Sequence, residues 1–397
     1  MTASAPPIQA GRLDDLLARR TTANRRFFLA ESERLATLCH LMAQRFARGG
    51  RLIAVGRSPG ARSDVRHVAV EFVHPVIVGK RALPAIGLGP EGSQLSRQVD
   101  LLAKGEDIAI AFGADEDDGE AAAAVALARA RGCLSVGFSP AARAEWTFDP
   151  PSDDPAIRQE LVETLYHVLW ELVHVFFEHR GLLIGRAPRR VHDSGASSFL
   201  YPFLAEAETE LAPVLADVRA SVLMKAEEVG ALRAETLGEN RAGLIAAAAQ
   251  LSDGFATGHK LLALGNGGSA TDAMDVVADL RGAGHPAIDL TEDPAILTAI
   301  GNDIGTEAIF SRQVIAYGSS GDALIAISTS GNSTNVIAAL AEARRRGLTT
   351  IALVGYDGGR IGAEQLADHV IITRSEHIPR IQEAQASAYH ALCELVG

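Results

Sequence analysis

The sequence predicts an α/β protein of two tandem doubly wound three-layer α/β/α domains with parallel sheets. Three observations carry this. Buried-strand patterns alternate with helical ones along the chain, glycine-rich turns join strand ends to helix starts, and the second half repeats the first in order and spacing. Parallel strands need crossover helices, so this alternation calls for sheets covered on both faces.

The strand-loop-helix units that open each half are RLIAVGRSPG (51–60) and KLLALGNGGS (260–269), each after an amphipathic helix. EDIAIAF (106–112) and DALIAIS (322–328) are buried-strand patterns, each leading to an Ala-rich helix that ends in Arg-Gly, at 128–132 and 343–347. Glycine there fits a helix C-cap. A third strand follows in both halves, CLSVGFS and TIALVGY, and both close with a helix, 157–173 and 380–396. The expected division is a first domain over 1–184, a linker and connecting helix over 185–238, and a second domain over 239–397. GRAPRRVHDSGASS (185–198) is rich in Gly, Pro and Ser, and Phe199 to about Gly238 is helix-like.

With 397 residues, 47% of them hydrophobic, the chain can bury a core in each domain. The net charge of −12, from 49 acidic against 37 basic residues, argues against nucleic acid or an anionic membrane surface as partner. No helix-turn-helix segment or basic cluster is visible. There is no apolar run of about 18 residues, and the N-terminus lacks the basic start and apolar core of a signal peptide, so a cytoplasmic location is expected. Cys39, Cys133 and Cys393 lie far apart in apolar periodic segments and read as small core residues, with no disulfide or Cys-based metal site.

Chemistry concentrates in Ser-Thr-Ser-Gly-Asn-Ser-Thr (328–334), between a buried strand and a helix beginning near Asn335. Hydroxyls and free amides at a helix N-terminus make an anion site, and phosphate is its natural occupant. Ordinary capping is the alternative, but one cap needs one such residue, and this loop carries Ser328, Thr329, Ser330, Asn332, Ser333 and Thr334. The turn Gly265-Asn266-Gly267-Gly268-Ser269 also joins a strand to a helix, so both turns can face one crevice.

GNGGSATDAMD, AIGNDIGTEAIFSRQV, ISTSGNSTNVI and RIQE with His390 beyond it, in that order, resemble the bacterial phosphoheptose isomerases, which are SIS-type sugar-isomerase domains. The resemblance covers nearly all of 240–397 and is fainter for the first half, which reads as a diverged copy. It implies a tetramer of small α/β subunits that interconverts sedoheptulose 7-phosphate and a manno-heptose 7-phosphate, with sites built where subunits meet. For a duplicated chain the corresponding assembly is a homodimer, a pseudo-tetramer of SIS domains. The family implies that Ser269, Ser328, Thr329, Ser330 and Ser333 hold the phosphate and that Asn266 and Asp303 touch the sugar, with Gly267, Gly268 and Gln382 completing the substrate site. No nucleotide cofactor is implied.

Ketose–aldose conversion moves a proton between neighbouring carbons through an enediol, which needs a base and an acid or metal at the oxygen. The family places His and Glu four apart on one helix and Gln and His eight apart on another, a quartet that holds zinc in some members. In the second half these positions are Asp275, Asp279, Gln382 and His390, so His has become Asp and Glu has shortened to Asp; Pro379 also stands where the family usually has Asp. The first half carries the full quartet, His67, Glu71, Gln159 and His167, as candidate metal ligands, but Asp115, Glu116, Asp117 and Asp118 stand where its phosphate loop should be and would repel an anion. Each half thus keeps what the other has lost. The candidate base is Asp279 or Glu71, and the candidate acid His390 or His167. A non-catalytic phosphosugar-binding regulator or adaptor is the competing reading, favoured by the altered Asp275 and Asp279. His74, His174 and His179 read as surface or packing residues.

Overall fold

The computed structural model describes residues 7–76, 80–90, 94–113, 119–179, 182–183 and 210–397, with side chains from residue 11 onward. In chain order the first half holds α1 (Pro7–Ala47), β1 (Leu52–Val55), α2 (Pro59–Val73), β2 (Ala85–Leu88), α3 (Leu95–Leu102), β3 (Ile108–Ala111), α4 (Gly119–Ala130), β4 (Leu134–Gly137), β5 (Trp146–Thr147) and α5 (Pro155–Glu178). The second holds α6 (Leu211–Glu239), α7 (Arg241–Ala256), β6 (Leu261–Gly265), α8 (Gly268–Gly282), β7 (Ala287–Asp289), α9 (Pro294–Asp303), α10 (Ser311–Tyr317), β8 (Ala323–Ser328), α11 (Thr334–Arg345), β9 (Thr349–Gly355), α12 (Gly359–Ala363), β10 (His369–Thr373) and α13 (Ile378–Val396).

Two five-stranded parallel sheets result, ordered β2-β1-β3-β4-β5 and β7-β6-β8-β9-β10, the same order twice. The predicted fold class is the one observed. Alternate residues of each strand enter cores on opposite faces. In the second sheet Leu261, Ala263, Ile325 and Ile327 pack with α7, α8 and α13, while Leu262, Leu264, Leu324 and Ala326 pack with α10 and α11. In the first, Leu52, Ala54, Ile108 and Ile110 face α1, α2 and α5, and Ile53, Val55, Ala109 and Ala111 face α3 and α4. Burial on both faces is why these strands read as unbroken apolar runs. Three strands per half were legible that way. The remaining four, β2, β5, β7 and β10, sit at or near sheet edges, and each is short or only partly buried.

The expected caps are present. Gly132 and Gly347 follow the Ala-rich helices at φ 87° and 78°, a left-handed conformation that glycine adopts without a Cβ penalty. Proline opens α2, α5 and α9 behind a side-chain cap; Asp154 Oδ1, for instance, accepts from the amides of Ala156 and Ile157 at 3.0 and 3.4 Å. One anchoring device is duplicated. Asp107 accepts from the amides of Arg51 and Lys104, each at 2.9 Å, and from the Arg51 guanidinium; Asp322 accepts from the amides of Lys260 and Ser319 at 3.1 and 2.8 Å and from the Lys260 ammonium. Each carboxylate thus ties the starts of two neighbouring strands.

The chain divides into two compact units, Ala23–Glu227 and Glu228–Gly397 together with the chain up to Thr22. The division falls inside α1 and α6. Leu13 and Leu16 of α1 belong to the core of the second sheet, and Arg20 bonds Glu394 at 2.8 Å. The expected 1–184 domain thus begins with residues that pack with the second unit. The linker at 185–198, the segment 199–209 and Asp115 to Asp118 lie outside the described residues. Among the described residues no helix is long and apolar enough to cross a membrane.

Candidate functional site

In the second sheet β6 and β8 are parallel neighbours, with Gly265 paired to Ile327 at their ends. Their following helices, α8 and α11, pack on opposite faces. A crevice therefore opens at the carboxyl ends of these strands, the usual ligand position for this strand order. The two motif loops, 265–269 and 328–334, flank it.

Gly331 turns the second loop at φ 61°, and a Cβ built there would lie 2.2 Å from the carbonyl oxygen of Gly358. Ser328 Oγ accepts from the Gly331 amide at 3.2 Å and lies 3.3 Å from Ser333 Oγ. Ser330 Oγ accepts from the Asn332 amide at 3.1 Å, and Asn332 Oδ1 accepts from the Arg360 amide at 2.9 Å. Ser333 stands at the N-cap of α11 but makes no side-chain cap bond. Of the first amides of α11, that of Val336 donates to Asn335 Oδ1 at 2.9 Å. Asn266 and Asn335 exchange two side-chain hydrogen bonds at 3.0 Å, tying the loops together. Ser328 and Ser269 are buried, Thr329, Ser330 and Ser333 partly so, and Asn332 and Thr334 are exposed. A cavity of about 740 Å³ begins at Ser330 and Asn332 and runs to Tyr356, Arg374 and Ser375. The loop is accessible, with room beside it for a ligand.

Helices α8 and α13 pack together and carry the four substituted positions. Asp275, Gln382 and His390 are buried, whereas the Asp279 side chain is 37% exposed. Asp279 Oδ2 lies 3.6 Å from His390 Nε2. Asp275 Oδ2 accepts from the Tyr389 hydroxyl at 3.2 Å, a partner the sequence reading missed although Tyr389 adjoins His390. Burial, and after it the negative charges of Asp279, Glu394 and Asp275, push the Cys393 thiol well above its ordinary pKa, which disfavours the reactive thiolate. Asp303 ends α9, where its carboxylate accepts from Asn302 at 2.7 Å. The Thr306–Ala308 turn packs against both α9 and α11.

In the first half α2 and α5 pack as their counterparts do. His67 and His167 meet at 3.4 Å between Nε2 atoms, with rings near perpendicular. Glu71 Oε1 lies 3.9 Å from His67 Nε2. Gln159 is elsewhere: its amide donates to Ser63 Oγ at 3.4 Å. Glu163, one turn on along α5, instead approaches His67, at 4.0 Å from Nδ1. His67, Glu163 and His167 offer ligand atoms all within 4.8 Å of one another, a donor set suited to a borderline divalent ion such as zinc. Burial foremost, and the neighbouring His167, hold His67 well below the usual histidine pKa, which leaves it neutral. Glu163 was legible as a third residue on the Gln159–His167 face, but only packing shows that it reaches His67. The turn at 56–60 is a plain cap, with Ser58 Oγ accepting from the Ala61 amide. His174 and His179 are buried packing residues and His74 is exposed.

A family model described as SIS domain matches residues 226–355. The phosphoheptose isomerase of Citrifermentans bemidjiense is 43% identical over 189 residues, 46% of this chain and 95% of that protein. That of Geobacter sulfurreducens is 48% identical over 169 residues, covering 41% and 88%. Among solved structures, the C-terminal domain of glucosamine-fructose-6-phosphate aminotransferase from Francisella tularensis aligns with a TM-score of 0.58 at 10% identity, over 96% of this chain and 93% of that one. Tagatose-6-phosphate ketose/aldose isomerase from Escherichia coli aligns with a TM-score of 0.56 at 13% identity, over 99% and 96%. Both share the two-domain fold across nearly the whole chain.

Proposed function

The chain belongs to the SIS domain family, and on that premise we propose that it is a phosphosugar isomerase that interconverts sedoheptulose 7-phosphate and D-glycero-D-manno-heptose 7-phosphate at the second sheet. The observation that carries this is the hydroxyl-rich loop at 328–334 at the start of α11, where Ser330 and Asn332 line a cavity that the ends of β9 and β10 also border. Ser269, Ser328, Thr329, Ser330 and Ser333 hold the phosphate in this reading, with Gly267 and Gly268 letting the backbone approach. Asn266, Asp303 and Gln382 orient the sugar chain.

Asp279 and His390 are the acid–base pair. Asp279 takes the proton from the carbon next to the ketose carbonyl and returns it to the neighbouring carbon. His390 gives a proton to the carbonyl oxygen, so the intermediate is a neutral enediol, and takes back the proton of the neighbouring hydroxyl as the aldehyde forms. The first half supplies the fold, and two chains assemble into four SIS domains. A coupled assay with sedoheptulose 7-phosphate tests the reading: wild-type protein converts it, and Ser330→Ala combined with Asp279→Asn abolishes conversion. Tight binding without turnover would overturn it.

That second outcome is what a phosphosugar-binding regulator would give. Asp275 and Asp279, standing in place of the family's His and Glu, favour this alternative. An unbiased pull-down that returned no protein partner would count against it.

A further inference from the structure

We infer that the first half binds one divalent transition-metal ion on His67, Glu163 and His167, with Gln159 left out of the ligand set, and that the second half binds none. Among the described residues this is the one place where His, Cys, Asp or Glu side chains converge in a group of three. The 3.4 Å between the two imidazole nitrogens matches the ligand-to-ligand edge of a tetrahedral site, about 3.4 Å for metal–nitrogen bonds of roughly 2.0–2.1 Å.

The register of α2 on α5 selects the ligands. Ser63 lies opposite Gln159, and a Cβ on Gly60 would meet the same side chain at 3.5 Å, so Gln159 is engaged at the start of α2. His67, one turn on, has Glu163 4.0 Å from its Nδ1 and His167 3.4 Å from its Nε2, and one ligand atom from each of the three lies within 4.8 Å of the others. Residues 159, 163 and 167 share one helix face, but the ion fits only the level of the last two. Glu71 stands on the His67 side, where it can take the fourth position or orient the ring.

In the second half the register that aligns Gln159 with Gln382 and His167 with His390 puts Ala386 opposite Glu163, and Asp275 replaces His67. Asp275 is engaged by Tyr389, whose counterpart Tyr166 packs its ring against His67. One of three ligands remains there.

The test uses the full chain stripped with a chelator and titrated with Zn²⁺ by calorimetry, and with Co²⁺ by visible absorption. Expected are one equivalent of metal per chain, a tetrahedral Co²⁺ spectrum and a higher melting temperature with Zn²⁺. Glu163→Gln and His67→Gln should each weaken Zn²⁺ binding by at least about 10- to 100-fold, the range for losing even an outer partner of a ligand, while Gln159→Ala stays within about threefold of wild type. Circular dichroism checks that the variants fold, and the wild-type Co²⁺ spectrum reads the site without any substitution. Two equivalents per chain, loss of metal in Gln159→Ala, full binding by Glu163→Gln, or no binding by wild type would each overturn the inference. Metal is read here without turnover, so the result is independent of the isomerase assay.

Discussion

Asp279 Oδ2 and His390 Nε2 face each other at 3.6 Å across α8 and α13, with the histidine buried and the carboxylate partly exposed. A base must reach substrate, and an acid benefits from exclusion of water. If this pair performs the proton transfer, Asp279→Asn lowers kcat by about 10²- to 10⁴-fold with little change in KM. Asp279→Glu, which only extends the carboxylate, keeps measurable turnover. Steady-state kinetics of both variants on sedoheptulose 7-phosphate decide it; wild-type kcat in Asp279→Asn would remove Asp279 from the chemistry.

Gly331 is the residue on which the phosphate loop turns. Alanine there combines a left-handed φ of 61° with a Cβ 2.2 Å from the Gly358 carbonyl oxygen, so the loop has to move. Gly331→Ala is expected to raise KM for the sugar phosphate at least tenfold, about 1.4 kcal/mol of binding. Inhibition by inorganic phosphate should weaken in parallel. Unchanged phosphate inhibition would separate this loop from anion binding.

Asp322 supplies a pH dependence whose sign follows from its partners. Burial raises its pKa, but bonds from the Lys260 ammonium and from the Lys260 and Ser319 amides more than offset this and hold it below the ordinary 3.8. A carboxyl depressed in the folded state binds its proton more readily when unfolded, so it stabilises the protein above pH 3.8 and loses that contribution as the pH falls through its lowered folded pKa. Asp322→Asn should lower stability by ~2 kcal/mol at pH 7, with the gap to wild type closing below about pH 4. Thermal melts of the two proteins across pH 3–7 check this. A gap that stayed constant would mean that geometry, and not charge, carries the effect.

Tyr389→Phe removes the hydroxyl that donates to buried Asp275 and leaves the ring in place. The expected cost is about 1–3 kcal/mol in urea unfolding, because a buried acceptor loses a donor. Unchanged urea stability in Tyr389→Phe would mean the Asp275 bond contributes nothing.

Much of this was legible in the chain. The repeat, the central strands and the hydroxyl-rich loop at 328–334 are local patterns: a strand buried on both faces is a run of apolar residues, and an anion loop is a run of donors before a helix. The changes at Asp275 and Asp279 were equally plain, since they are substitutions within recognisable motifs. The four strands β2, β5, β7 and β10 were not, because short, partly buried strands carry no unbroken apolar signal.

The amino-acid order by itself determined the two parallel sheets, the place of the anion loop and the residue types on each pair of helices. Tertiary structure alone decided which of those side chains meet. Gln159, Glu163 and His167 lie on one face of α5 in any helical reading, but the depth at which α2 packs sets Ser63 against the first and His67 against the other two. It likewise sent α1 Leu13 and Leu16 to the second sheet. Helical spacing specifies a face; the level along that face is set by the packing of a second helix, which no local pattern records.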